Sequence, residues 1–211
     1  NALLDQTGAV DRDGDGMREL PNGDPLVINI DFATQGIGGG EVELVARYWN
    51  DVGVKTLFKE VTPDEYRGAQ SSNQLDVGAW QKNQPIAIIL GESELFVPPY
   101  ENYFGHTTAI KWAEYIDSNG SSGIKPPQYA YDMIDALNTF QSATAGSAES
   151  HAAGNKMVEL LTDNLLFIGT VFAPYPVFHR NALKNVTQFK VASYNYYRTF
   201  PYLPQQWYLA E

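Results

Sequence analysis

The chain has no cysteine, which excludes a disulfide framework, thiolate metal sites and cysteine nucleophiles. That absence is compatible with an oxidising compartment, where a stray thiol is a liability. Charge is sparse at 18% of 211 residues, and basic residues are the minority, 14 Lys and Arg against 25 Asp and Glu, for a net charge of −11. Lys55, Lys59 and Lys82 are scattered single cations, whereas phosphate backbones require clustered ones, so the composition argues against nucleic acid as a partner. No apolar run approaches the roughly 20 residues of a membrane span. Histidine is limited to His106, His151 and His179, none at metal-ligand spacing from another. There is no GxSxG elbow, and no glycosidase-like carboxylate pair can be singled out. The expectation is a binding protein rather than an enzyme, with no catalytic residue and no organic cofactor.

What the chain does have is aromatic surface: 13 Tyr, 10 Phe and 4 Trp, within a hydrophobic fraction of 44% that is ordinary for a globular domain. Tyr and Trp are favoured where an apolar wall meets a polar ligand. Asn1 to Gly8 read as the end of a helix stopped by glycine, so the chain is expected to be a piece of a longer protein whose signal sequence lay upstream.

Alternation marks Pro25–Thr34 as a strand, Val42, Val45, Trp49 and Val52 give Glu41–Gly53 a helical period, and Val54–Val61 is a second strand. This is a βαβ unit with a parallel pair. Thr62-Pro63-Asp64-Glu65 has the residues of a capped helix start, opening a helix to about Ser71. Leu75–Trp80 reads as a third strand, Ile86–Thr108 as mostly loop, and Ala109–Asp117 as a short helix. After the loop Asn119–Pro127, two helices are expected over Pro127–Gln141, with an apolar stripe of Ala130, Met133, Ile134, Leu137 and Phe140, and over Ser147–Asn164, where Ala153, Met157, Leu160, Leu161 and Asn164 continue the pattern less perfectly. Further strands are expected at Leu165–Phe172, Pro176–Ala182 and Val186–Val191, with an aromatic tail from Tyr194 to Glu211 lying across the surface. The fold class is α/β, a mixed sheet flanked by helices.

Two constellations carry chemistry. Asp11, Asp13 and Asp15 occupy positions 1, 3 and 5 of a calcium-type loop, Gly16 supplies the turn, the Met17 carbonyl falls at position 7 and Glu19 at position 9. Asn22 stands where a bidentate Glu is expected, and an acidic turn is the alternative reading. Any calcium here would be structural. The second is the turn Trp80-Gln81-Lys82-Asn83 after the third strand. Ligands of open α/β sheets bind beyond the carboxyl ends of the strands. There a Trp can stack on a ligand while amide and ammonium groups bond its edge; a core Trp closing a strand is the alternative. The glycine run Gly36–Gly40 fails both phosphate-loop patterns and reads as a flexible connection.

The order of these pieces is similar to that of a known family. ALLDQTG followed by DRDGDGMREL and PNGDPLVINI, then YWNDVGV, TPDEY and LDVGAW, resembles the family 5 extracellular solute-binding proteins. These are the oligopeptide-, dipeptide-, nickel- and oligosaccharide-binding components of ABC importers. IDSNGSSGIKPPQYAYDMID resembles a branch with an insertion before its paired helices, so the likeness covers nearly the whole chain. It implies one lobe, the carboxy-terminal one, of a two-lobed type II periplasmic-binding-protein fold over residues 1–211, the tail from about 192 packing towards the other lobe. It also implies export to the periplasm or the cell exterior, with or without a membrane anchor, a monomeric state, and permease subunits as partners. In peptide-binding members the turn after this strand carries a Trp and then an Asp that pairs with the peptide amino terminus. Trp80 is kept here, but Asn83 is the nearest residue to the missing carboxylate, which favours a neutral polar solute such as an oligosaccharide over a peptide. A calcium-stabilised secreted hydrolase and a calcium-stabilised structural module are the competing classes. The importer-associated lobe accounts for motif order, acidity, missing cysteine and absent catalytic groups together.

Overall fold

A computed structural model of the chain describes residues 1–80, 109–171, 178–186 and 203–210. The chain divides into two compact units, Asn1–Gln81 and Lys82–Glu211. The first opens with a one-turn helix α1 (Ala2–Gln6), followed by the acidic loop and strand β1 (Val27–Phe32). Helix α2 (Gly39–Asn50), strand β2 (Lys55–Glu60), helix α3 (Pro63–Ser71) and strand β3 (Val77–Ala79) complete it. β1 lies in the middle, parallel to both neighbours, in the order β2–β1–β3.

The period of two in β1 sorts its side chains between the sheet faces. Ile30 and Phe32 turn to one face and bury against Val42 of α2, with Val45, Trp49, Val77 and Ala79 packed around them. Asp31 takes the other face, where it stands opposite Gly78 in the register of β1 with β3. That face is covered by α3, whose Tyr66 is 1% exposed. A Cβ built on Gly78 would stand 2.5 Å from the Tyr66 hydroxyl oxygen, so only glycine leaves room for the ring there. α3 starts where expected. The Thr62 hydroxyl accepts the Glu65 amide at 3.2 Å, and the Glu65 carboxylate accepts the Thr62 amide at 2.8 Å. The Thr62 amide, and then the Thr62 hydroxyl donating to the same carboxylate oxygen at 2.9 Å, hold the Glu65 carboxyl below the usual carboxylate range.

Arg18 ties the amino-terminal edge together. Its guanidinium donates to the carbonyls of Val52 and Ala9 and to the side chains of Asp5 and Asn1, at 2.6 to 3.0 Å. Its amide donates to the Gly53 carbonyl, and its own carbonyl accepts from Leu26, both at 2.8 Å. α1, the acidic loop, the start of β1 and the turn from α2 into β2 thus meet on one residue.

In the second unit, α4 (Ile110–Asp117) precedes the pair α5 (Gln128–Ser142) and α6 (Ala148–Asn164). Met133, Ala136 and Leu137 of α5 bury against Met157 and Leu160 of α6, flanked by Tyr129, Ile134, Phe140 and Leu161. The apolar stripes read from sequence are the faces that meet. Trp112 of α4 packs edge-on to Tyr129, with centroids 5.9 Å apart. Short strands β4 (Leu183–Lys184) and β5 (Tyr208–Leu209) pair antiparallel.

The strands expected after α6 are not formed among the described residues. Leu165 turns left-handed (φ 44°) to end α6, and the following residues through Val171 find no partner strand. Ile168 and Val171 remain exposed. Of Pro176–Ala182, the described residues 178–182 are irregular, closing in a turn where the Leu183 amide donates to the Arg180 carbonyl at 2.9 Å. Val186 is unpaired too, and the rest of that expected strand lies outside the described residues. An apolar, β-prone run becomes a strand only where a partner ladder is available.

Arg18→Met keeps much of the apolar stem but orphans the Ala9 and Val52 carbonyls, and should cost about 3 kcal/mol of unfolding free energy. Chemical denaturation measures it, and a loss under about 0.5 kcal/mol, the usual size of a surface substitution, would contradict the anchoring role.

Candidate functional site

Because all three strands are parallel, their carboxyl ends share one edge. The chain steps from β1 outward to β2, then back across β1 to β3. Right-handed crossovers in opposite directions place α2 and α3 on opposite faces, as the packing of Val42 and Tyr66 confirms, and leave a crevice where the direction reverses. The edge is built from the segment after β1 (Ala33–Gly38), the entry to α3 and the residue after β3. The Val61 amide donates to the Phe32 carbonyl at 2.9 Å, and the Thr34 hydroxyl donates to the Glu60 carboxylate, so the exits of β1 and β2 are cross-linked.

Trp80 stands at this edge, half-buried. Its ring centroid is 5.0 Å from that of Tyr66, and the Arg67 guanidinium carbon lies 4.5 Å from it. That approach is closer than one in the ring plane, past the ring hydrogens, would permit, so the cation lies over the indole. Arg67 also donates to the Gln70 amide oxygen at 3.0 Å. Gln70 is 6% exposed, and its amide nitrogen has no hydrogen-bond partner among the described residues. Burial lowers the Arg67 pKa, opposed by Tyr66. Burial also pushes the Tyr66 phenol up to about 12, with Arg67 pulling it down and Asp31 raising it further. The phenol is therefore neutral.

Of the expected ligand residues, Trp80 is at the predicted edge, while Gln81, Lys82 and Asn83 lie outside the described residues. Tyr66, Arg67 and Gln70 were not singled out in the sequence. Their helix is polar on average, and nothing in a lone Arg announces that it lies over an aromatic 13 positions away. Gly36 was read as part of a flexible connection, yet its backbone packs directly against the Trp80 indole.

The acidic loop forms the second candidate site. Asp11, Asp13, Asp15 and Glu19 bring carboxylate oxygens within 4.8 Å of one another. Asp11 accepts the amides of Gly14 and Gly16, Asp13 that of Asp15, and Asp15 that of Met17, at 2.7 to 3.1 Å. The Arg12 amide donates to the Glu19 carboxylate at 2.8 Å, and its guanidinium donates to the carbonyls of Gly8, Glu19 and Leu20 at 3.0 Å each. Asn22, at the expected bidentate position, turns away to Asp24, its amide nitrogen 2.7 Å from that carboxylate. Four convergent carboxylates are the hard-oxygen set that suits calcium.

Neither protein-family profiles nor curated proteins give a match to the chain. Solved structures do. It is similar to an oligopeptide-binding protein OppA, at 22% identity and a TM-score of 0.69, over 100% of this chain and 35% of that one. It is also similar to the periplasmic binding protein MelB of Agrobacterium fabrum C58, solved with stachyose, at 16% and 0.62 over 78% and 24% of the two chains. A third is a mannohexaose-bound periplasmic oligopeptide-binding protein of an ABC transporter from Thermotoga maritima, at 18% and 0.52 over 79% and 29%. The chain thus spans about a third of the length of the first and less of the others. At these identities the likeness establishes the fold: an α/β portion of a type II periplasmic-binding-protein architecture. The resemblance read from motif order is matched at that level, and these neighbours are binding proteins rather than enzymes. Among the described residues no helix is long and apolar enough to cross a membrane.

The raised phenol gives a pH signature. The unfolded chain ionises Tyr66 near the ordinary phenol value of 10.0 and the folded one at about 12, so its contribution is complete below pH 10 and is lost between those values. Tyr66→Phe should flatten the fall in melting temperature over that window relative to the parent. Parallel curves for the two proteins would contradict the burial of a neutral phenol.

Proposed function

We propose that this chain is the carboxy-terminal lobe of the substrate-binding component of an ABC importer, which captures a small polar solute and delivers it to the membrane permease. The observation that carries the reading is Trp80 at the carboxyl edge of the sheet, where the strand order reverses, in a fold shared with proteins that bind oligopeptides and oligosaccharides. Gln81, Lys82 and Asn83 follow directly and would supply amide and ammonium groups to the same solute. The protein works in the periplasm or outside the cell as a monomer, and binds rather than catalyses. Most of the tail expected from about residue 192 to pack towards the other lobe lies outside the described residues.

The solute is neutral, an oligosaccharide rather than a peptide. The turn after Trp80 carries amides and an ammonium, with Asn83 and no carboxylate to pair with a peptide amino terminus, so a peptide ammonium buried there is costly. Sugar hydroxyls need only neutral donors and acceptors, and two of the similar structures were solved with stachyose and mannohexaose.

The test is a thermal-shift screen of the full-length protein carrying this chain, against stachyose, mannohexaose and short peptides. A solute at ~100 times its dissociation constant stabilises by about 2.7 kcal/mol. A sugar should raise the midpoint, and Trp80→Ala should abolish the rise. A peptide hit would overturn the choice of solute, and no shift with any class would overturn the transport reading.

We also infer a structural calcium held by Asp11, Asp13, Asp15 and Glu19, with the Met17 carbonyl at the seventh loop position. The convergence of four carboxylates supports it. Calcium in excess should raise the melting midpoint of the parent but not of Asp13→Asn, and should leave sugar affinity unchanged. An equal response from both proteins would contradict the site.

A further inference from the structure

The glycine run after β1 contains one position where a side chain is forbidden by a neighbour rather than by the backbone. A Cβ built on Gly36 would stand 2.5 Å from both Cδ2 and Cε3 of Trp80 and 3.0 Å from Cε2. These are consecutive ring atoms. A point lying in the ring plane beyond the Cδ2–Cε3 bond would be much farther from Cε2 than that, so the added carbon would fall over the face of the indole. The Gly36 backbone itself therefore lies flat against Trp80. Nearby glycines make no comparable demand: a Cβ on Gly38 or Gly40 meets nothing within 4 Å, and one on Gly39 makes ordinary contact with Phe32. Nor does the backbone require glycine at 36, because it is not among the residues of positive φ.

Glycine at 36 is thus explained by the indole alone. The same ring has Tyr66 5.0 Å away and the Arg67 guanidinium 4.5 Å away, the latter fixed in turn by the Gln70 amide oxygen. Groups from two segments (the exit of β1 and the first half of α3) fix the orientation of a side chain from a third, the end of β3, at the edge where the solute is proposed to bind.

We propose that Gly36 is a positioning residue for solute recognition: its missing side chain is the seat that sets the plane of Trp80, with Tyr66 and Arg67 completing the clamp. With its ring surface already in contact with Gly36, Tyr66 and Arg67, Trp80 is a fixed wall rather than a mobile stacking arm. It meets the solute in an orientation set before binding, so less side-chain freedom is lost on capture. This rests on the solute-binding reading of the Trp80 turn.

The experiment uses the full-length protein labelled with 5-fluorotryptophan, the Trp80 resonance being assigned by its loss in Trp80→Phe. Gly36→Ala should shift or broaden that resonance and leave those of Trp49, Trp112 and Trp207 in place. It should also weaken stachyose or mannohexaose binding by about tenfold, the usual scale of coupling between residues in contact. In the parent, Gly36→Ala should lower the melting midpoint, whereas in a Trp80→Ala background, where the sugar response is already lost, it should leave the midpoint unchanged or raised, since alanine suits this backbone better than glycine. An unmoved Trp80 resonance, or equal effects of Gly36→Ala in both backgrounds, overturns the seat. A shifted resonance with unchanged sugar affinity overturns the role in recognition while leaving the contact intact. If neither sugar binds the parent protein, the solute reading fails and the positioning role fails with it, whatever the spectrum shows.

Discussion

A single central strand with parallel partners on both sides governs the first unit. β1 can satisfy its backbone only by pairing with β2 and β3, and each pairing demands a crossover helix, because parallel neighbours cannot be joined by a tight turn. The two crossovers leave in opposite directions, so α2 and α3 cover opposite faces, and Ile30 and Phe32 are sorted from Asp31 by the period of the strand alone. The two edges of the sheet then diverge in character. The amino edge is closed by Arg18, a nearly buried cation bonded to this unit's own backbone and side chains. The carboxyl edge gathers Thr34, Glu60, Arg67 and Trp80 from three different exits. Stability is concentrated at one edge and candidate recognition at the other.

Much of this was legible in sequence because the signals were local. Thr62, Pro63 and Glu65 specify a helix start through atoms three residues apart, and the observed capping bonds are those the residue types imply. The stripes of α5 and α6 were read from period, and Met133, Leu137 and Met157 are among the most deeply buried residues. The converging aspartates followed from loop spacing. What escaped was non-local. Gly36, Arg67 and Trp80 are separated by 31 and 13 positions, and no periodicity connects them. The glycine looked flexible because glycine usually marks freedom; here it marks close approach. The expected strands beyond α6 failed for a related reason, since β-prone composition says nothing about whether a partner ladder exists.

The carboxyl edge holds charges of both signs: the Arg67 guanidinium over the indole, the Glu60 carboxylate at the end of β2, and Asp31, which raises the neutral Tyr66 phenol further. The proposed preference for a neutral solute therefore rests on the turn after Trp80, which carries amides and no carboxylate. The fold alone does not discriminate, because it is shared by binders of both peptides and sugars.

Hydrogen exchange with mass spectrometry on the full-length protein, with and without stachyose or mannohexaose, tests the central claim most directly. The account predicts that a bound sugar slows exchange in residues 33–38 and 76–80, at the carboxyl edge, and leaves the acidic loop at 11–19 and the α5–α6 pair unchanged. Protection confined to those latter regions, with the carboxyl edge exchanging as in the free protein, would contradict it.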